Sequence, residues 1–508
     1  MASLRTPIQY QPKPYVLHSN VMMFHDWRYI HEGTTRWTTA DGGRIERYPD
    51  SLPETPMWAG DEMPLGIKLR ALPSETSEPF IEVDKPWEDF LRHPTVVYEG
   101  GIYRIWYSNV KYMCYAESDD GIMWRKPELG IREFDGNTTN NIVIGTGIPP
   151  EPDYFNLGNV FVDPTAPPEE KYKALYTRSI SRKVASAFTE RYPDDVSPQY
   201  QEGADPDLNR KIMAIGGAVS ADGVNWKPYS LPLGVHRADT QNIAYYDRML
   251  KKYVAYFRTH VFRRRSIGRA ESENFAHFPL PDTIIWPDPS MDPSEVYYGI
   301  GRMEYPGAPD YHLLFTQQWR VTEDTWTHRV AASPDGVLWG FLPGDSDVIK
   351  RGEGRAWNAG AIEVGAGMVD LLGNRVGFPI TEYDVPHKHP RLRGLGKIAW
   401  VSWPRDRIIA LQADQHGQFT TKKVRLEGNT LRINVRTKHV GSIAIEVLGN
   451  DNQPIEGRSF ADCDHISGDY MDKLLTWRGN PSLGRTPNEP LAFRVKLSFG
   501  QLFSMRFQ

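Results

Sequence analysis

A heptapeptide that recurs three times constrains this chain more than any other feature. It reads Ser118-Asp-Asp-Gly-Ile-Met-Trp124, Ser220-Ala-Asp-Gly-Val-Asn-Trp226 and Ser333-Pro-Asp-Gly-Val-Leu-Trp339, the pattern Ser-x-Asp-Gly-x-x-Trp. A decayed copy, Ser272-Glu-Asn-Phe-Ala-His-Phe278, keeps the Ser and a final aromatic. Successive copies start 102, 52 and 61 residues apart. Counting the first gap as two units, the period is about fifty residues, the size of a four-stranded propeller blade. The chemistry is that of a hairpin turn: Ser and Asp side chains bond the turn's own amides, Gly permits positive φ, and the Trp packs back between sheets.

Strand-like segments precede each copy. Thr95–Tyr98 and Tyr103–Tyr107 precede the first, Val160–Val162 and Tyr172–Tyr176 the second. Asn242–Tyr246 and Tyr253–Phe257 precede the decayed copy, and Tyr297–Met303 with Tyr311–Phe315 the last. A fifth set follows at Gly360–Val364, Met368–Leu372, Val376–Phe378 and Ile398–Val401. Apolar or alternating runs of this length between Gly, Pro and Asp turns are strands. The expected architecture is all-β: a five-bladed β-propeller over 86–413, then a C-terminal β-sandwich over 414–508, where alternation continues without the heptapeptide. Residues 1–85 are expected to form an extension packed on the propeller, and Ser181–Asn209 a long surface insertion.

Composition narrows the function. The 508 residues carry 59 Lys and Arg against 64 Asp and Glu, a net charge of −5, which disfavours a polyanion-coating surface. Mean hydropathy is −0.52 and no apolar run reaches spanning length, so neither nucleic acid nor a membrane is an expected partner. With 15 Trp and 25 Tyr, a surface that stacks on sugar rings is affordable. Two cysteines, Cys114 and Cys463, make no disulfide framework, and Met1–Tyr10 lacks the apolar core of a secretory signal; both favour a cytoplasmic setting, with a secreted protein trimmed of its leader as the alternative.

The heptapeptide resembles the Asp-box of sialidases and other sugar-active propellers, where it is a structural turn, so Asp120, Asp222 and Asp335 take no catalytic role. Asp84-Lys-Pro-Trp-Glu88 with Tyr103-Arg-Ile-Trp-Tyr-Ser108, Ala238-Asp-Thr-Gln-Asn242, and Arg405–Leu411 with Thr420-Thr-Lys422 are similar to uncharacterised bacterial proteins related to glycoside hydrolase families 32 and 43. So is the stretch from Gly441–Leu448 through Gly468-Asp469 to Trp477. The resemblance implies a five-bladed propeller with an appended sandwich. It also implies hydrolysis of O-glycosyl bonds by carboxylates presented from different blades around the axial pocket.

Cleaving a glycosidic bond takes one group to donate a proton and another to attack or to activate water. Acids at the start of the blades' first strands give Glu88 as nucleophile or base, with Asp89 as its substitute. Asp239 is then the modulating acid and Glu295 the proton donor. Trp58, Tyr297, Trp319 and Trp357 are candidates for a stacking wall around a small sugar, and Arg258, Glu382, His387 and His389 for contacts to its hydroxyl or carboxylate groups. Two histidines separated by one residue are a weak metal signal, and no cofactor is expected; nothing in the sequence supports a structural Ca²⁺. A homo-oligomer is compatible with Trp27, Trp37 and Trp58, which would pack on a neighbour or complete the pocket. The reading is a glycoside hydrolase (or transglycosidase) acting on a furanoside or similar small glycoside. The alternatives are a sialidase-like enzyme, needing an arginine cluster drawn from Arg258, Arg302 and Arg320, and a non-catalytic sugar-binding propeller.

Overall fold

The computed structural model describes residues 14–31, 36–38, 44–46, 64–109, 111–145, 155–197, 212–342, 347–353, 356–388, 396–486 and 489–508. The apolar runs form antiparallel strands, and short turns between them make each sheet from consecutive segments. The first sheet holds Arg92–Glu99, Ile102–Ser108, Tyr112–Ser118 and Ile142–Gly145; the second Phe155–Val162, Tyr172–Ile180, Ile212–Ser220 and Trp226–Pro228. Ile243–Asp247, Lys252–Val261, Arg264–Ser272 and Asp282–Ile285 make the third. In the fourth, Glu295–Tyr297 and Gly301–Tyr305 both pair with Ala308–Arg320, followed by Thr325–Ser333 and Gly340–Phe341. In the fifth, Ile362–Val364 and Val369–Leu371 share Arg375–Glu382, followed by Lys397–Pro404. Its outer edge is taken by Glu75–Thr76 and Ile81–Glu82, drawn from the other end of the chain.

The core lies between sheets. Trp106, Met113 and Tyr115 meet Phe155, Tyr172 and Tyr176 between the first and second; Leu175 and Ile215 meet Ala255 and Phe257 between the second and third. Tyr245 and Tyr256 meet Tyr297 and Leu314, Tyr298 and Trp326 meet Tyr383, and Leu91 and Ile105 meet Ile398. The last sheet thus packs on the first. Hydrogen bonds between the first strands repeat this circuit: His93 Nδ1 to Leu157 O, Asn159 Nδ2 to Ala244 O, Thr240 Oγ1 to Tyr298 O, and Val96 N to Ala366 O. Gln317 Nε2, on the fourth sheet, donates to Ile362 O on the fifth. The fold is all-β and propeller-like.

The heptapeptide turns fasten these interfaces. In each, Ser Oγ accepts the Gly amide (Gly121, Gly223, Gly336) at 2.8–2.9 Å, and Asp Oδ1 accepts the next two amides. The glycines sit at φ of +74°, +80° and +71°, where a side chain is strained. Their carbonyls accept a hydrogen bond from the preceding sheet: Trp400 Nε1 on Gly121 at 2.8 Å, Trp106 Nε1 on Gly223 at 2.7 Å, and the Tyr256 hydroxyl on Gly336 at 2.6 Å. The decayed copy keeps the scaffold in part, with the Ala276 amide on Asn274 Oδ1.

Two departures from expectation concern boundaries and the insertion. Contacts divide the chain into two units, one built on Pro73–Phe341 and Asp345–Pro404, the other on Arg405–Gln508 with Ile8–Leu72. In the second unit Val21–Met23 and Lys68–Ala71 join a six-stranded sheet with Ile409–Thr420, Leu431–Leu448, Asp469–Leu474 and Ala492–Phe507. Of the expected propeller extension of residues 1–85, Val21–Met23 and Lys68–Ala71 are therefore paired into the C-terminal sheet, while Glu75–Thr76 and Ile81–Glu82 pair with the fifth. The boundary expected at 413/414 falls inside one continuous strand. Within the insertion, Arg182–Arg191 is an α-helix capped by Ser181 Oγ, with Ala185 and Phe188 buried.

Candidate functional site

A set of charged groups collects where the first strands of the first and fifth sheets meet. Arg92 and His93 open the first sheet's first strand; Glu363 lies in that of the fifth, flanked by Ile362 and Val364. Glu363 is 2% exposed. Arg92 Nη2 donates to its Oε1 at 2.6 Å and Arg92 Nε to Oε2 at 3.1 Å, and the Tyr383 hydroxyl lies 3.2 Å from Oε2 and 2.8 Å from Leu91 O. Burial works to raise the Glu363 carboxyl, but Arg92, then His93, outweigh it and hold it at about 2.

His93 adopts φ +48°, an uncommon conformation for a residue with a side chain, and is buried. Burial and then Arg92 lower its imidazole to about 4, so the ring is neutral at pH 7. Its Nδ1 faces Leu157 O at 2.9 Å and is assigned the proton, which leaves Nε2 an acceptor 3.6 Å from Glu363 Oε2.

Asp239, on the loop before the third sheet, ion-pairs with Arg258 Nη1. Its side chain is 35% exposed. Burial pushes the carboxyl up, but Arg258 and then Arg265 outweigh it and hold it below the ordinary range. The Arg265 guanidinium lies 4.3 Å from the centre of the Tyr298 ring. Burial raises the Tyr298 hydroxyl; Arg92 and Arg265 oppose this while Glu363 and Asp239 reinforce it, so all four charges lie within electrostatic reach of Tyr298. Tyr298, which follows the fourth sheet's first strand, shares a core cluster with Tyr383, whose hydroxyl lies 3.2 Å from Glu363 Oε2, and its carbonyl accepts from Thr240, the residue after Asp239.

Of the acids expected from sequence, Asp239 belongs to this cluster and the other two have different neighbours. Glu88 is buried beside the first sheet, accepting from the Tyr107 hydroxyl at 2.6 Å and from Lys126 Nζ at 2.8 Å. Glu295 pairs with Arg320 at 2.6 Å. Glu88, Asp239 and Glu295 share no hydrogen-bonding or ion-pairing partner among the described residues. Asp89 is exposed against Lys111, 3.1 Å away.

The expected sugar-stacking wall is largely core. Tyr297 stacks on Phe341 with ring centres 5.6 Å apart, and Trp319 packs edge-on to Tyr298 and His387 while donating to Asp324 Oδ1 at 2.9 Å. Trp357 lies beside the Lys397 ammonium, 5.8 Å from its ring centre. His387 sits among Tyr298, Trp319 and Trp326; neither ring nitrogen has a hydrogen-bond partner among the described residues, and burial lowers it to about 4. Trp58 and His389 lie outside the described residues. Among those residues, no group of three or more His, Cys, Asp or Glu is arranged to hold a metal ion.

Glu382 is fully buried, accepts from Asn358 Nδ2 at 3.3 Å, and leaves Oε2 without a partner. Burial pushes it to about 8, with Asn358 opposing only weakly. Because Glu363 is opposite Thr381 in the ladder, strand alternation sends Glu382 to the other face of the sheet from Glu363. Arg302 and Arg320 do not join Arg258: Arg302 lies over the Tyr245 ring at 3.3 Å, and Arg320 is held by Glu295. Sequence reasoning passed over Arg92, His93 and Glu363. The available signal was an acid in the wholly apolar stretch Ala361-Ile-Glu-Val364.

No family model matches the chain, and no curated protein matches it. Solved structures that it resembles include a thermostable family-43 glycoside hydrolase, at 12% identity and TM-score 0.40 over 63% of this chain and 92% of that one. A glycosyl hydrolase from Bacteroides ovatus matches at 12% identity and TM-score 0.42, over 67% and 96% of the two chains. An endo-arabinase from Bacteroides thetaiotaomicron VPI-5482 matches at 10% identity and TM-score 0.39, over 64% and 98%.

Proposed function

We propose that this chain is a glycoside hydrolase whose first unit is a five-bladed propeller and whose C-terminal sheet folds over as a sandwich. The circuit of inter-sheet cores supports the blade count, and the bulges interrupting Leu431–Leu448 support a strand that turns a corner. The substrate is a furanoside or similar small glycoside. The observation that carries the reading is that Tyr298 bonds Thr240, next to Asp239, and shares a core cluster with Tyr383, which lies against Glu363.

In this reading Asp239, the more open carboxylate, takes a proton from the water that attacks the anomeric carbon, and the departing oxygen takes one from solvent. Glu363 accepts from a sugar hydroxyl, and Arg92 keeps Glu363 ionised and fixed. A panel of aryl furanosides and pyranosides, with products read by NMR, tests it. Asp239→Asn should cut turnover by about a thousandfold or more, as loss of an essential catalytic group does, while Glu295→Gln should leave it within a few-fold. Full activity in Asp239→Asn would remove that residue from the mechanism.

One observation favours a second reading, a sugar-binding propeller without turnover. Both carboxylates of the cluster are held ionised, and Glu382, the carboxyl kept protonated at neutral pH, faces away from Glu363. Saturable binding with no product across the panel would establish it.

A further inference from the structure

Beside Asp239 a cavity of about 660 Å³ opens between the loop at 236–237, the strand end at 258–260 and Leu280–Pro281. Its charged lining is of one sign. Arg237, Arg258 and Arg263 contribute guanidinium groups, His236 and His260 line it too, and no acid among the described residues does. Of the three arginines only Arg258 has a carboxylate partner among the described residues, Asp239. Arg258 is 4% exposed and its Nε has no hydrogen-bond partner among those residues. A buried guanidinium nitrogen left unsatisfied beside two further cations is costly unless an anion completes it. The imidazoles register the same field: burial first, then Arg258, lower both His236 and His260 to about 4, and Arg265 and Arg237 add to the effect on His260. An uncharged sugar would give this lining nothing to neutralise.

We propose that the cavity lined by Arg237, Arg258 and Arg263 binds an oxyanion carried by the sugar substrate, a carboxylate or a sulfate ester. The inference rests on the reading that this end of the sheets receives a glycan, and it narrows the substrate class to acidic glycans. Planar, bidentate guanidinium groups match both oxyanions. The exposed Arg237 and Arg263 would make first contact with the anion, and Arg258 would bridge it to Asp239.

The test is direct binding to the full chain, by calorimetry at fixed ionic strength, of galacturonate, galactose 6-sulfate, galactose and inorganic sulfate. The variant is Arg237→Gln/Arg263→Gln, whose positions are exposed and have no ion-pair partner among the described residues. Either anionic sugar should bind about tenfold or more tightly than galactose, the yield of two charge-assisted contacts at a partly open site, and the variant should erase the difference. Preference for galacturonate assigns the carboxylate, and preference for galactose 6-sulfate the ester; each supports the proposal. Equal binding of galactose and the anionic sugars overturns it, and so does a preference that the variant leaves intact. Inorganic sulfate binding as tightly as the sugars would show an unspecific anion site and overturn it too. Binding is read without turnover, so a protein that holds acidic sugars but cleaves nothing refutes the hydrolase reading alone. One that cleaves neutral glycosides and ignores the anion refutes only this inference.

Discussion

Glu382→Gln should stabilise the protein, and by an amount that depends on pH. In the unfolded chain this carboxyl ionises near 4.5, whereas in the fold burial holds the proton until about 8. Between those values the native state binds a proton that the unfolded state has lost, so stability falls as pH rises, by about 1.4 kcal/mol per pH unit. At pH 7 the accumulated cost is about 3 kcal/mol, and above pH 8 it levels off near 5 kcal/mol. Glutamine has the same shape, cannot ionise, and still accepts from Asn358. Its Nε2 takes the place of an oxygen that already lacks a partner, so no new unsatisfied group arises. Denaturant melts of wild type and Glu382→Gln at pH 5, 7 and 8.5 should show curves nearly coincident at pH 5 and separating progressively above it. A variant less stable at every pH, or a gain that does not change with pH, would show that Glu382 is ionised in the fold and would refute the reasoning.

Other expectations follow from single contacts. Glu363 carries the opposite sign: its folded value of about 2 lies below the unfolded 4.5, so its stabilisation is full above pH 4.5 and lost as pH falls toward 2. Glu363→Gln should then cost about 3–5 kcal/mol at pH 7 by leaving Arg92 buried and unpaired, measured by denaturant melts. Gly223→Ala should cost about 1–3 kcal/mol, since its φ is +80° and the new Cβ would meet Trp106 at 2.6 Å; Gly340→Ala, with nothing within 4 Å, should be nearly neutral in the same melts. Glu88→Gln should lower stability through Lys126 yet leave any glycosidase activity unchanged; a large loss of turnover in a folded variant would return Glu88 to the active site.

What could be read from the sequence was what local chemistry dictates. Ser, Asp, Gly and Trp at fixed offsets specify one turn with one set of hydrogen bonds, and all three intact copies form it. The apolar runs specify strands, and their spacing groups the strands into sheets. The helix at Arg182–Arg191 was hidden because its buried face is only Ala185 and Phe188, too little apolar periodicity to stand out amid Pro, Asp and Gln. Site residues were harder. An acid at a strand start looks the same whether it meets a substrate or a lysine 38 residues on, as Glu88 does with Lys126. Asp239 was visible because it lies on a short loop immediately before its strand. Glu363 was not, because its partner Arg92 is 271 residues away and only the meeting of first and last sheets brings them together.

The pairing of Glu75–Thr76 and Ile81–Glu82 with Lys397–Pro404 has a consequence for biosynthesis. The ribosome releases these short segments early, more than three hundred residues before the strand they will flank exists. Until then the nascent ring has a raw seam, with Lys397–Pro404 still unmade and the leading segments idle. Loss of the leading segments, by proteolysis or trimming, would leave a finished ring with an uncovered backbone edge, open to pairing with another molecule.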